Sequence, residues 1–600
     1  MSTAILTGAP VAGSSLEGDL RELGFDVRSA ADAAEAARLL AEVPAGRRVA
    51  LVDPRFVGHL HSLRLALTDP RFPAAAVTGA LTAQPEARAA LTRALATAGS
   101  ADALPEADAL PDAVAETLDA EGVSVHRPEL GSLVASVPSG AQQRHEARAA
   151  VSAVDDEAVR LRTAVKSRDG FFTTYCISPY SRYIARWCAR RGLTPNQVTT
   201  ASLLTALIAA GCAATGTRGG FIAAGLLLLF SFVLDCTDGQ LARYSLQYST
   251  MGAWLDATFD RAKEYAYYAG LALGAARGGD DVWALALGAM VLQTVRHVVD
   301  FSFNEANHDA TANTSPTAAL SDKLDSVGWT VWARRMIVLP IGERWALIAV
   351  LTAVSTPRIV FWVLLIGCAL AACYTTAGRV LRSLTRRARR TDRAAQALAD
   401  LGDSGPLAEG FAAAFKGAAR KLPGFAAPVI AAAGAAVMIA TAAFTGWGSP
   451  WLCVAALVYA VLSGLAVARP LKGALDWLVP PLFRVGEYVA ILVIAARSEV
   501  NGALPAAFGL VAAVAYHHYD TVYRIRGGSG APPRSLVRAT GGHEGRALVV
   551  SIAAAALPTS GFTIALTVLA GALALLVLIE SIRFWVSSNA PAVHDEGEPA

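Results

Sequence analysis

The chain has 600 residues, of which 54% are hydrophobic and 17% charged, with a formal net charge of +3. That composition is too apolar for a soluble protein with an ordinary wet surface, and the near-neutral charge gives no basis for nucleic-acid binding. The length implies several domains.

Residues 1–136 contain no apolar run of bilayer length, which is about 20 residues, and read as a soluble α/β domain. Short apolar runs at Ala4–Thr7, Phe25–Arg28, Val49–Val52 and Ala75–Val77 predict strands, with helical patterns such as Ala30–Leu40 between them. The loop Gly8-Ala-Pro-Val-Ala-Gly13 follows the first strand, where a phosphate could meet a helix start. It has no lysine and misses both the GxGxxG and the P-loop spacing, so a plain turn is the better reading. The tetrapeptide Asp-Pro-Arg-Phe occurs at Asp53–Phe56 and again at Asp69–Phe72, and reads as two turn-forming pieces. The first residues lack the basic start and apolar stretch of a cleavable signal peptide.

Residues 137–165 are polar and Ala-rich and predict one solvated connecting helix. From Lys166 to Tyr175, and on from Tyr180 to Arg191, aromatic residues alternate with Arg182, Arg186, Arg190 and Arg191. A basic, aromatic stretch of this kind suits a helix lying in the membrane interface.

Apolar spans then follow at about 197–215, 219–236, 261–278, 281–302, 344–355 and 357–378, the fifth being short. A second set of six follows at 426–445, 449–468, 480–497, 504–522, 546–558 and 561–585. Basic residues gather before the first span, after the sixth (Arg379, Arg382, Arg386, Arg387, Arg389, Arg390) and around Arg524, Arg526, Arg534 and Arg538. An even span count puts all three loops on one side. The positive-inside rule makes that side cytoplasmic, in a protein of the cytoplasmic membrane with both termini inside. The predicted organisation is 1–136 soluble α/β, 137–165 connecting helix, 166–385 first membrane domain, 386–422 basic linker, 423–588 second membrane domain and 589–600 disordered tail. All seven cysteines lie beyond the soluble part without a CxxC pair, and read as small apolar packing residues.

The chemistry gathers at the end of the second span. Asp235-Cys-Thr-Asp238-Gly239-Gln-Leu-Ala242-Arg243 is followed, after eight residues, by Gly252-Ala-Trp-Leu-Asp256-Ala-Thr-Phe-Asp260. Residues three or four apart share a helix face, so Asp235 projects with Asp238 and Asp256 with Asp260. Four carboxylates do not gather unaided, because each like-charged pair at about 4 Å costs roughly 4 kcal/mol at an effective dielectric near 20. Hard divalent cations remove that repulsion, and Mg²⁺ favours carboxylates combined with phosphate oxygens. Two such ions would clamp a pyrophosphate through a displacement, and Arg243 adds a permanent cation. Gly239 and Ala242 leave room for a flat group or a close backbone approach. A solvated charged loop is the alternative, and it leaves the helix-compatible spacing of four aspartates, an arginine and two glycines unexplained.

This pattern, DxxDGxxAR, eight residues, then GxxxDxxxD, resembles the signature of the class I CDP-alcohol phosphotransferases, also called phosphatidyltransferases. The resemblance extends from about Lys166 to Arg382 and includes Thr194-Pro-Asn-Gln-Val-Thr199 at the start of the first span. It implies a six-helix membrane core, here followed by about six further helices and preceded by the α/β domain. It implies that Asp235, Asp238 and Asp256 ligate metal, Mg²⁺ or Mn²⁺ and two ions. Asp260 would bind metal and deprotonate the acceptor hydroxyl. Gly239, Ala242, Arg243, Ser249 and Gly252 match positions around the cytidine diphosphate, and Pro195 and Asn196 match more weakly. The implied reaction joins a CDP-alcohol to an acceptor alcohol, releases CMP and belongs to phospholipid or related polar-lipid biosynthesis. Lys166, Asp169, Arg182 and Arg296 are candidates for an acceptor pocket, with structural ion pairing or snorkelling as the alternative. A soluble module ahead of such a core also resembles fused enzymes whose first half makes the CDP-alcohol. The Gly-rich, basic start of those nucleotidyltransferase-like domains is absent here, so a related domain would have lost that activity.

The second set of spans has echoes of the first. Phe259-Asp-Arg-Ala-Lys-Glu264-Tyr265 opens the third span, and Phe483-Arg-Val-Gly-Glu487-Tyr488 opens its counterpart. The fourth spans end in Arg296-His-Val-Val-Asp300 and His517-His-Tyr-Asp520. No DxxDGxxAR occurs in the second set, whose corresponding stretch is Arg469-Pro-Leu-Lys-Gly473-Ala-Leu-Asp476. An eroded duplicate is one reading, and an unrelated membrane domain sharing short apolar words is the other. Because the resembled enzymes commonly pair, either a homodimer or an internal pseudo-dimer follows. A transporter or silent scaffold is the alternative function, suggested by the many spans and by intramembrane charges such as Glu487 and Asp520.

Overall fold

The computed structural model describes residues 2–100, 110–166, 169–310, 338–385 and 389–587. Arg386, Arg387 and the tail expected at 589–600 lie outside the described residues. Two compact units emerge: residues 2–166 with 178–197 and 236–249, and residues 169–177 with 198–235 and 250–587.

In the first unit, β1 (Ser2–Thr7), β2 (Phe25–Ala30), β3 (Val49–Val52), β5 (Ala74–Val77), β6 (Ala80–Ala83) and β7 (Val125–His126) form one sheet in the order β2-β1-β3-β6-β5-β7. β1 runs parallel to β2 and β3, whereas β6 is antiparallel to both β3 and β5. Buried residues form two clusters, one around Ile5, Leu51 and Leu81 and the other around Ala4, Leu6 and Val52. Alternate residues of β1 therefore feed opposite layers, as strand geometry requires. The helices are α1 (Leu16–Glu22), α2 (Ala33–Glu42), α3 (Leu60–Leu67), α4 (Arg88–Ser100) and α5 (Leu110–Ala120). Strand β4 (Val57–Gly58) pairs separately with β8 (Ala135–Ser136).

Both copies of Asp-Pro-Arg-Phe are turns. The Asp53 carboxylate accepts from the backbone N–H of Arg55 and pairs with its guanidinium at 3.1 Å. Asp69 does the same with Arg71, at 2.7 Å.

The connecting segment differs from expectation. It is two helices, α6 (Ala141–Ser152) and α7 (Asp156–Thr163). The break occurs because Asp155 is extended and caps α7, its carboxylate accepting from Ala158 N at 3.1 Å. The amphipathic helix α8 (Ser178–Arg190) follows the turn at Thr173–Ile177.

All twelve predicted spans are helices, and the chain is a polytopic helical membrane protein with a small amino-terminal α/β region. The first six are α9 (Pro195–Ala214), α10 (Arg218–Ser245), α11 (Thr250–Arg277), α12 (Trp283–Asn307), α13 (Ile341–Val354) and α14 (Pro357–Thr385). The stretch read as a basic linker holds α15 (Asp392–Gly402) and α16 (Pro406–Ala419). The second six are α17 (Ala426–Phe444), α18 (Trp451–Val467), α19 (Val479–Arg497), α20 (Ala503–Arg526), α22 (Gly542–Ala556) and α23 (Thr559–Ser587), with the short α21 (Arg534–Ala539) before α22. Among the described residues, seven helices are long and apolar enough to cross a bilayer by themselves. Of the others, α11 is interrupted by Asp260, Arg261, Lys263 and Glu264, α20 ends its apolar stretch in the polar run Tyr516–Asp520, and α13, α18 and α22 are short.

Candidate active site

The candidate site begins where α10 and α11 carry carboxylates on facing turns. Helix α10 is continuous from Arg218 to Ser245, so Asp238 stands one turn beyond Asp235. One carboxylate oxygen from each of Asp235, Asp238 and Asp256 lies within 4.8 Å of the others. Such a set of hard, anionic oxygens suits a small divalent cation.

Asp260, one turn after Asp256, enters through a residue that spacing alone did not single out. Lys263 is fully buried, with Nζ 2.8 Å from Asp260 Oδ1 and in contact with Asp235 Oδ1. Its ammonium also donates to Ser202 Oγ on α9 at 3.2 Å. The signal in the sequence was its i,i+3 spacing from Asp260, which places both on one helix face. A buried ammonium between two carboxylates offsets part of their repulsion.

Behind this layer is a second buried ion cluster. Glu264 Oε2 accepts from Arg261 Nη1 at 3.1 Å and from Arg344 Nη2 of α13 at 3.2 Å, and Tyr268 donates to Glu264 Oε1 at 2.7 Å. Saturated in this way, Glu264 fixes α11 against α13 and with it the direction of Asp256 and Asp260. Small residues permit the close packing: a Cβ on Gly270 would lie 2.4 Å from the Ala210 carbonyl oxygen of α9.

Arg243 lies in the last turn of α10, and a Cβ on Gly239 would meet its guanidinium at 3.5 Å. The Arg243 Nε donates to the Ala164 carbonyl at 2.6 Å. Its neighbour Tyr244 is clamped by α7. Arg160 Nε donates to the Tyr244 carbonyl at 2.8 Å, the Arg160 guanidinium lies 3.6 Å from the Tyr244 ring centroid, and the Tyr244 hydroxyl donates to Glu157 at 2.9 Å. Glu157 and Arg160, expected on a solvated connecting helix, hold the end of α10 instead.

Pro195 and Asn196 open α9, Ala242 faces partly inward on α10, Ser249 precedes α11 and Gly252 is in its first turn. The four acceptor-pocket candidates occupy different elements. Lys166 follows α7, Arg182 is on α8, the Asp169 carboxylate accepts from Gly170 N at 2.7 Å, and Arg296 is on α12. Arg296 is buried and donates through Nη2 to the Val338 carbonyl. All seven cysteines are free thiols.

Comparison with known proteins places this site in context. Residues 192–373 match the model of the CDP-alcohol phosphatidyltransferase family. Residues 392–600 match a family of unknown function, DUF5941. The chain is 33% identical over 130 residues to the phosphatidylinositol phosphate synthase of Streptomyces avermitilis, covering 20% of this chain and 51% of that protein. It is 32% identical over 113 residues to the archaetidylinositol phosphate synthase of Pyrococcus horikoshii, covering 19% of this chain and 58% of that protein. It is 32% identical over 114 residues to the bifunctional IPC transferase and DIPP synthase of Aquifex aeolicus, covering 19% of this chain and 26% of that protein. The matched stretch thus spans between 26% and 58% of the length of these relatives.

Proposed function

We propose that the CDP-alcohol phosphatidyltransferase domain transfers a substituted phosphate from a CDP-alcohol to an acceptor hydroxyl and releases CMP. The observation that carries this reading is the convergence of Asp235, Asp238 and Asp256 within 4.8 Å, beside Asp260.

In this reading Asp235, Asp238 and Asp256 hold divalent metal, Mg²⁺ or Mn²⁺ and two ions with Asp260 taking part. The ions supply charge neutralisation for the pyrophosphate. Asp260 orients the acceptor hydroxyl and takes its proton as the new P–O bond forms and the bond to CMP breaks. Arg243 offers planar, bidentate donors to phosphate oxygens, and Gly239 lets the nucleotide approach the backbone beneath it. Ala242, Ser249, Gly252, Pro195 and Asn196 complete the nucleotide side. Most of the rate enhancement then comes from positioning and electrostatic complementarity, because phosphoryl transfer needs little else from the protein.

Two relatives carry inositol phosphate in the names of their products. We propose an acceptor of that class, a phosphorylated polyol, with Lys166, Arg182 and Arg296 supplying cations and Asp169 accepting from a hydroxyl. The site faces the cytoplasm in a cytoplasmic membrane, on the basic side of the spans. The experiment is a screen of CDP-alcohols against polar and lipid acceptors in detergent, with Mg²⁺ or Mn²⁺, reading CMP. Acceptor-dependent CMP release supports the reading. No release with any pair, from protein that binds CDP-alcohol, would leave a transporter or scaffold as the better account.

A further inference from the structure

The ion cluster around Glu264 has a counterpart about 220 residues further along the chain. In the second set of helices, Arg484 Nη1 lies 3.1 Å from Glu487 Oε2, and Arg546 Nη2 of α22 lies 3.2 Å from the same oxygen. In the first set the corresponding distances to Glu264 Oε2 are 3.1 Å from Arg261 and 3.2 Å from Arg344. The arginine and glutamate sit three apart on the third helix of each set, and the second arginine is on the fifth.

A further glutamate beside that fifth-helix arginine repeats as well. Glu343 accepts from the backbone N–H of Phe172 at 3.3 Å, at the start of the segment leading into α8. Glu544 accepts from Gly405 and Ala408 at 3.1 and 3.0 Å, at the start of α16. In both sets, therefore, a glutamate of the fifth helix accepts from backbone N–H groups ahead of the first helix.

Helix neighbours repeat too. First packs on second through Ser202 and Ser231, and through Gly434 against Tyr459. First packs on third through Ala210 and Gly270, and through Ala435 and Gly486. Fourth meets sixth through Gln293 and Cys368, and through Tyr516 and Ser581.

Aligning Arg261 with Arg484 sets the register of the third helices. Val479 then falls at the place of Asp256, Phe483 at that of Asp260 and Gly486 at that of Lys263. The carboxylates and their counter-cation are lost together, while the structural ion cluster is kept. That pattern suits a fold retained after its chemistry has gone.

The surface between the two sets is reciprocal. α12 packs on α19 and α20, and α11 packs on α20. In positional terms, fourth meets third, third meets fourth and fourth meets fourth, as a two-fold contact between like objects requires. Tyr519 of α20 hydrogen-bonds His297 of α12, and the Arg261 guanidinium lies 5.1 Å from the centroid of its ring. Trp283 meets Phe508 edge-on at 5.7 Å.

We propose that residues 392–587 are a second, catalytically silent copy of the six-helix core, occupying within one chain the surface where another molecule of that core would pack. The word core rests on the function proposed above; the repeat and its packing do not. Linking the two copies covalently avoids the association entropy that a separate partner loses.

The test is photo-crosslinking in the full-length protein, with benzoylphenylalanine at Leu492 of α19 or, in a second variant, at Phe508 of α20. A Cβ at Gly288 of α12 would lie 3.9 Å from the Leu492 side chain, so the expected product joins α19 to α12. It migrates as a single chain, and a peptide map identifies both ends. The same outcome is expected from Phe508 to the Trp283 region. A single-chain product joining α12 at either position supports the proposal. A product of two-chain mass at either position, or links from both positions to peptides outside α12, overturns it. Neither readout depends on turnover, so failure here is separate from failure of the proposed reaction.

Discussion

Lys263 lies one helical turn after Asp260, and its buried ammonium is 2.8 Å from the Asp260 carboxylate. It also touches Asp235, so one cation ties α10 to α11. Lys263→Met keeps the length of the side chain and removes the charge. Breaking a buried pair by deleting one partner costs about 3–5 kcal/mol, because the remaining charges are left uncompensated. The melting temperature in chelator should therefore fall, and Mn²⁺ should raise it by more than in the wild type. An equal response to Mn²⁺ in both proteins would remove Lys263 from the electrostatics of the carboxylate cluster.

Asp256→Asn keeps the size of the side chain and removes one anionic oxygen from the trio. Under the proposed reaction, CMP release should drop by at least about tenfold, which is roughly 1.4 kcal/mol or more of barrier. The helical circular dichroism and detergent elution should be unchanged. Release near the wild-type rate would mean that the cluster does not hold a catalytic metal. Asp260→Asn should keep more CDP-alcohol binding than Asp235→Asn, since its proposed share is proton acceptance.

The spans were legible because bilayer thickness imposes length and apolarity on each segment separately. The fifth was legible as an apolar run at 344–355, short for a bilayer crossing. The aspartates were legible because two helical turns fix which of them share a face. In the soluble region β1, β2, β3 and β5 matched their apolar runs. Strand β6, Ala80–Ala83, escaped notice because Ala-Leu-Thr-Ala has little strand propensity. It exists because Gly79, at φ +77°, turns the chain back so that β6 fills the space between β3 and β5. The clamp on Tyr244 escaped for a different reason. Glu157 and Arg160 are about 85 residues away in sequence, and charges on an Ala-rich helix carry no mark of a distant partner.

His61 on α3 supplies a pH test outside the membrane. Its side chain is buried, and desolvation first, with the Arg160 charge next, pushes its pKa down to about 3. A base whose folded pKa is depressed stabilises the fold above its unfolded pKa, near 6.5, and loses that contribution as pH falls below it. At pH 5 the loss is up to about 2 kcal/mol, at 1.36 kcal/mol per pH unit. Amide exchange in β1 and β3 should therefore accelerate between pH 6.5 and 5 more than intrinsic exchange chemistry predicts. His61→Leu should flatten that excess. If the excess survives in the variant, another group carries the acid sensitivity.

The clamp between α7 and the end of α10 carries the last prediction. Arg160 holds Tyr244 by a hydrogen bond and by its position over the ring, and Glu157 accepts from the Tyr244 hydroxyl. Arg243 is the adjacent residue, and its proposed task is to meet phosphate oxygens. Arg160→Ala removes the ring contact and the carbonyl's partner, and frees the end of α10 to reorient. Arg160→Lys keeps a charge but lacks the planar fork and the same stacking. If the clamp positions Arg243, both variants should raise KM for the CDP-alcohol several-fold, the alanine by more. The KM for the acceptor should stay near the wild-type value, because Arg243 is assigned to the nucleotide side. Tyr244→Phe should show a smaller effect, since it keeps the ring under Arg160 and loses only the bond to Glu157. A merely structural role would instead lower the amount of active enzyme and leave both KM values where they were. Titrating active sites alongside the two KM measurements therefore decides between positioning and stability.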